Sequence, residues 1–148
     1  LRARAAAQKA DAAHLEGIVV GNLAVVRMRR GAHAEAYEEL QLGLRRAERL
    51  GQRQLEGALH TFSLVGAAHA ERWDRWDLHE REASRALGAL ETSEEDIAWA
   101  AQRAAELAHE RGDLARARSA FTVAAAHWSK LGRALDASLC VERARTIE

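Results

Sequence analysis

Apolar residues return at three- and four-residue intervals along nearly the whole chain, a spacing that predicts amphipathic helices. The first full helix is expected over residues 11–30, with Leu15, Ile18, Val19, Val20, Leu23 and Val26 as its apolar positions and Gly31 as its stop. A second is expected over 33–50, where Ala36, Leu40, Gly43, Leu44 and Ala47 share one face and Leu50-Gly51 ends the run. Further helices are expected over 53–71 and 74–90. In Thr92-Ser93-Glu94-Glu95 a Thr three residues ahead of a Glu has the form of a capping box and predicts the start of a fifth, ending at Gly112. A sixth spans 114–131, and a seventh starts near Arg133 and is expected to be truncated. The chain has no proline, the strongest helix breaker. An all-α chain follows.

Superimposed on the helical spacing is a longer one. The turn segments beginning at Gly31, Glu71 and Gly112 stand 40 and 41 residues apart. Leu15-Glu16-Gly17 returns as Leu55-Glu56-Gly57 after 40 residues, and Leu50-Gly51 as Leu131-Gly132 after 81, two steps. Helix–turn–helix units at such a period predict an α-solenoid of antiparallel helix pairs, about seven helices in all. The units are placed at about 11–51, 52–91 and 92–132. Residues 1–10 are assigned to the end of a preceding helix or repeat, and 133–148 to a trailing, capping helix. The chain opens on Leu1 inside a helical stretch, which reads as a piece of something longer.

The units resemble tetratricopeptide (TPR) repeats. That family sets small residues once in helix A and twice in helix B, with a glycine at the turn. Ala24, Gly31, Ala36 and Gly43 match in the first unit, and Asn22-Leu23-Ala24 is similar to the family's Asn-Leu-Gly. Ala105, Gly112, Ala117 and Ala124 match in the third, with Phe121 at the aromatic position. The middle unit departs: Glu71 replaces the turn glycine, Leu64 and Trp76 occupy small-residue positions, and only Ala83 fits. That substitution pattern predicts a locally wider packing. The 40–41-residue step resembles the longer TPR units of bacterial multidomain kinases, STAND ATPases and LuxR-like regulators.

Composition narrows the function. Lys+Arg 22 balance Asp+Glu 22, so no global charge favours nucleic acid or an anionic membrane. The apolar run from Ile18 to Val26 is too short to span a bilayer. Cys140 stands alone, which excludes an internal disulfide, fits a reducing, cytoplasmic setting, and beside Leu139 and Val141 reads as a buried small hydrophobe. The hydrophobic fraction is largely alanine, so Leu, Val, Ile and Trp are expected to carry most of the burial.

Catalytic chemistry finds no foothold. His79-Glu80 and His109-Glu110 lack the second histidine, four residues on, that a zinc metalloprotease needs: Ala83 and Asp113 stand there. These histidines are expected to face solvent or a partner. No serine sits in a nucleophile elbow and no glycine-rich phosphate loop exists. No catalytic residue, cofactor or metal is expected. Trp73 and Trp76 are read as wedges between helices, and Trp128 as packing against the seventh helix.

The TPR resemblance implies an inner groove lined by helix A. Its offsets give Met28 and Arg29 in the first unit, Thr61 and His69 in the second, and Trp99, Gln102, Glu106 and His109 in the third. Gly21 and Val25 stand where a carboxylate clamp for chaperone tails would need Asn and Lys, which disfavours that role. The expected function is a non-catalytic protein-interaction or regulatory sensor module of a larger bacterial signalling protein. Its partners would be a peptide, a helix or flanking domains of the same chain. The alternatives are a structural spacer that self-associates through exposed repeat ends, giving a homo-oligomer, and an effector-sensing domain of a transcription activator.

Overall fold

The computed structural model describes residues 2–147, which form seven helices and, among those residues, no strand. They are α1 (Arg2–Arg29), α2 (His33–Arg49), α3 (Arg53–His69), α4 (Trp73–Leu87), α5 (Glu95–Glu110), α6 (Leu114–Lys130) and α7 (Ala134–Thr146). Residues 2–10 are the opening turns of α1 itself, with no break before residue 11.

Five of the six links share one local design. A residue with positive φ follows the helix: Gly31 (+84°), Gly51 (+64°), Glu71 (+54°), Gly112 (+81°) and Gly132 (+71°). The next amide then reaches back five residues, as in Ala32 N to Arg27 O (2.9 Å) and Asp113 N to Ala108 O (2.9 Å). This is the Schellman closure, which satisfies carbonyls left open at the helix end. Repeated use of one short turn makes each helix antiparallel to the next and sets the regular step. Glu71 adopts the same conformation as the glycines, so the departure at this position is in residue type only.

The α4–α5 link is the exception. It runs from Gly88 to Glu94, and α5 begins at Glu95 with Glu94, not Thr92, at its N-cap and no side-chain cap. The expected capping box does not form: Glu94 is extended, and Ser93 Oγ pairs with Nδ1 of His127 on α6 (2.8 Å).

Successive helices pack together except across the α4–α5 link, and α1, α3 and α5 also pack side by side as a row; α4 makes no extensive contact with α5 or α6. The result is an α-solenoid. Glycines mark the close crossings. A Cβ at Gly66 would lie 2.7 Å from Tyr37 of α2, and one at Gly57 2.6 Å from Leu87 of α4. The widening expected of the middle unit therefore does not lie between α3 and α4, which close around the fully buried Trp76. In the second row neither α2 and α4 nor α4 and α6 make extensive contact.

The core differs from expectation in one respect. Alanines carry much of it: Ala24, Ala36, Ala98, Ala101, Ala105 and Ala124 are fully buried. The large apolar residues of α1 are exposed instead, Leu15 at 61% and Val19 at 53%, with Ile18, Leu23 and Val26 also exposed and Val20 half-buried. The packed face of α1 is Gly17, Gly21, Ala24, Val25 and Met28. Small residues admit the neighbouring helix closely, whereas Leu15, Val19, Leu23 and Val26 lie away from it.

Candidate functional site

The row α1, α3 and α5 builds one surface of the array, the one that the TPR resemblance implies to be the inner surface. The equivalent stretches of these helices converge on a depression of about 190 Å³. Its apolar floor includes Ile18, Ala58, Phe62 and Ile97, and its rim carries His14, Asn22, Gln54 and Glu94. His14 on α1, Gln54 on α3 and Glu94 at the N-cap of α5 are exposed and stand 40 residues apart in sequence. The repeat thus places a polar group at the same level of three successive rods.

Beside this depression α1 reaches across α3 to α5. Arg29 Nη2 donates to Asp96 Oδ1 (3.1 Å), and its guanidinium lies 4.7 Å from the centre of the Trp99 ring. An arginine over an indole face gains from the ring quadrupole. Two of the residues expected to line the groove, Arg29 and Trp99, are therefore brought together, and they occupy each other.

The other expected groove residues are dispersed. Met28 and Thr61 are buried, and Thr61 Oγ1 donates to Gly57 O (2.9 Å); neither is available to a partner, which corrects that expectation. Gln102 and Glu106 face the following helices: Gln102 Oε1 accepts from Trp128 Nε1 (2.8 Å), and Glu106 accepts from Arg103 (3.1 Å) and Arg143 (3.4 Å). They hold α6 and α7 to α5 and do not form a groove. His69 is exposed, with its ring 4.4 Å from that of His33 and its carbonyl accepting from Arg111 (3.1 Å). Burial, then His69 and Arg103, lowers the pKa of His33. His109 is exposed. Thus none of the residues at the family's helix A offsets lines the depression, and all but Thr61 lie further along their helices. The signal for the right level was in the sequence as the 14, 54, 94 step, but nothing in those residues marked it.

The titratable groups inside the array are structural. His79 is 1% exposed, against the expectation that it faces solvent or a partner. Its Nε2 pairs with Tyr37 Oη (3.0 Å) and its Nδ1 with His60 Nδ1 (2.9 Å), linking α2, α4 and α3. Burial, reinforced by His60, Arg75 and Arg72, lowers its pKa to about 3, so it is neutral near pH 7. Cys140 is buried, as expected, and burial pushes its thiol up to about 11, which keeps it protonated. Among the described residues no cluster of His, Cys, Asp or Glu could hold a metal ion, and no helix is long and apolar enough to cross a membrane.

No protein-family model matches the chain, and no curated protein matches it in sequence. Among solved structures it is similar to the crystal structure of BtubC (BKLC) from P. vanneervenii, with a TM-score of 0.58 at 18% identity over 91% of the chain. The chain spans 64% of that protein's length. Identity this low shows the fold alone: an all-helical, repeat-like array.

Proposed function

We propose that the chain is a non-catalytic binding module that docks a peptide segment or a helix of a partner protein on its inner surface. The observation that supports this is the depression shared by α1, α3 and α5, with an apolar floor and a rim that carries polar groups of α1 and α3 and the N-cap of α5. Such a site suits an amphipathic segment: side chains enter the floor while main-chain or polar groups meet the rim. In keeping with the resemblance of its units to long TPR repeats, the module would serve a larger bacterial signalling protein in the cytoplasm. Selection of peptides on the immobilised protein tests the reading. Selected peptides should lose at least tenfold in affinity on Ile18→Asp, a change at an exposed position. Peptides that bind wild type and Ile18→Asp alike would refute a site on the inner surface.

A second reading has its own observation. Leu15, Val19, Leu23 and Val26 form an exposed apolar stripe on α1, and Leu135, Leu139 and Val141 are exposed on α7. Contiguous apolar surface of this kind marks an interaction face, and these two faces would stack on further helix pairs or on a second copy. Light scattering over a hundredfold concentration range distinguishes the cases. A rising mass that Val19→Lys abolishes supports self-association, and a constant monomer mass excludes it.

A further inference from the structure

The cleft between α4 and α6 lies away from the inner surface, on the second row of helices. At one end the two helices are pinned together. Arg116 donates from Nε and Nη2 to the two oxygens of Asp77 (2.9 and 2.8 Å), and its guanidinium lies 5.5 Å from the Trp73 ring centre. Ser119 Oγ donates to Glu80 (2.7 Å). At the other end the α4–α5 link is tied to α6 through Ser93 and His127. Between these fastenings the helices part, leaving a space of about 150 Å³.

Its walls are Ala83 and Leu87 on α4 and Val123 and Ala126 on α6, with Leu64 and Ala101 beneath. Thr61 and Ser84 also line it, and a space of about 150 Å³ is large enough for a benzene-sized guest. Small-molecule sites are commonly of this kind, mostly apolar with a few placed polar groups. The charged groups here are separated. Glu80 is engaged by Ser119 near the start of α6, whereas Lys130 lies eleven residues further along α6 than Ser119, about 16 Å of helix. Lys130 lines the cleft and forms no ion pair among the described residues. His127 lines the same end, and with a pKa lowered to about 4 by burial and by Lys130 it adds no charge near pH 7.

We propose that this cleft binds a small amphipathic carboxylate, with an apolar body of benzene size seated between α4 and α6 and the carboxylate on the Lys130 ammonium. The proposal is independent of the inner-surface reading, since the two sites share no lining residue. It identifies a reason for the long α4–α5 link: a tight turn there would draw α5 and α6 against α4 and close the space.

Three probes with one body and different heads test it: 3-phenylpropanoate, 3-phenylpropan-1-ol and 3-phenylpropylamine, titrated into the protein and followed by amide chemical shifts and calorimetry. The carboxylate should bind saturably, perturb Ala83, Leu87, Ala101 and Val123, and exceed the alcohol about fivefold, the contribution of one half-exposed ion pair. Lys130→Gln should bring the carboxylate down to the level of the alcohol and leave the alcohol unchanged. Ala83→Leu should fill the space and abolish binding of both. Lys130→Gln decides the matter alone should Ala83→Leu fail to fold. Equal binding of all three probes, tightest binding of the amine, or shifts confined to the surroundings of His14 and Gln54 would each overturn the proposal.

Discussion

Glu71 occupies the left-handed region at φ +54°, where the other four turns of its kind use glycine. Its turn bonds are intact, with Arg72 N to Ala67 O at 2.9 Å, so the main chain gains as much here as elsewhere. The Cβ is the difference, since it crowds the following carbonyl at a cost of about 1–2 kcal/mol. Glu71→Gly should therefore raise stability by about 1 kcal/mol after the added chain entropy of glycine. A urea midpoint that is unchanged or lower would show that the turn is unstrained. Gly57 argues the reverse case. An added Cβ would sit 2.6 Å from Leu87 Cγ and 2.8 Å from Ala86 Cβ, so Gly57→Ala should destabilise by about 1–3 kcal/mol through overpacking. Thermal denaturation measures this, and a neutral result would mean that α3 and α4 part at little cost. Both residues are conspicuous in the sequence, Glu71 by its register and Gly57 by its echo of Gly17. What a Cβ would strike at Gly57 belongs to α4 and was not visible there.

Among the elements, α1 shows how composition misleads about burial. Leu15, Val19, Leu23 and Val26 recur with helical spacing, yet they face outward, and Gly17 and Gly21 face α3. Periodicity locates a stripe but does not say which neighbour covers it. The equivalent helix α3 is buried on nearly every side from Gly57 to Ala68, because helices flank it on both sides. The polar groups of α2, α3 and α4 are likewise legible only once the helices meet. Tyr37, His79 and His60 form one buried chain of hydrogen bonds, and His127 is buried beside Lys130. His79 and His127 titrate near 3 and 4 in the fold but near 6.5 when unfolded. The unfolded chain thus takes up protons that the native state refuses. Stability is complete above about pH 6.5 and falls as the pH drops toward those values, by about 2 kcal/mol per histidine at pH 5. Urea midpoints at pH 7.5 and 5 test this. Replacing His79 by glutamine should flatten the profile, and a wild-type midpoint independent of pH would contradict the burial argument.

For the whole molecule, the decisive fact is uneven stacking. The row α1, α3, α5 is continuous and is laced at one place by Arg29, Asp96 and Trp99. The second row is looser, because neither α2 and α4 nor α4 and α6 make extensive contact, and α4 meets α6 through the Arg116–Asp77 and Ser119–Glu80 pairs. The Arg116 pair lowers the pKa of Asp77 and is bidentate, but Asp77 is exposed, so its contribution is about 1 kcal/mol at most. Arg116→Ala should cost about that much and speed amide hydrogen exchange along α4 more than along α2. Equal acceleration in both would show that α4 is held by α3 alone. The helices, their turns and their 40–41-residue step were determined by the sequence itself, because local spacing and turn chemistry act over a few residues and recur with each unit. Which faces those helices bury, which histidines lose their water, and where the array opens were decided only by tertiary packing. Each depends on residues tens of positions apart, and no local pattern records the distance between them.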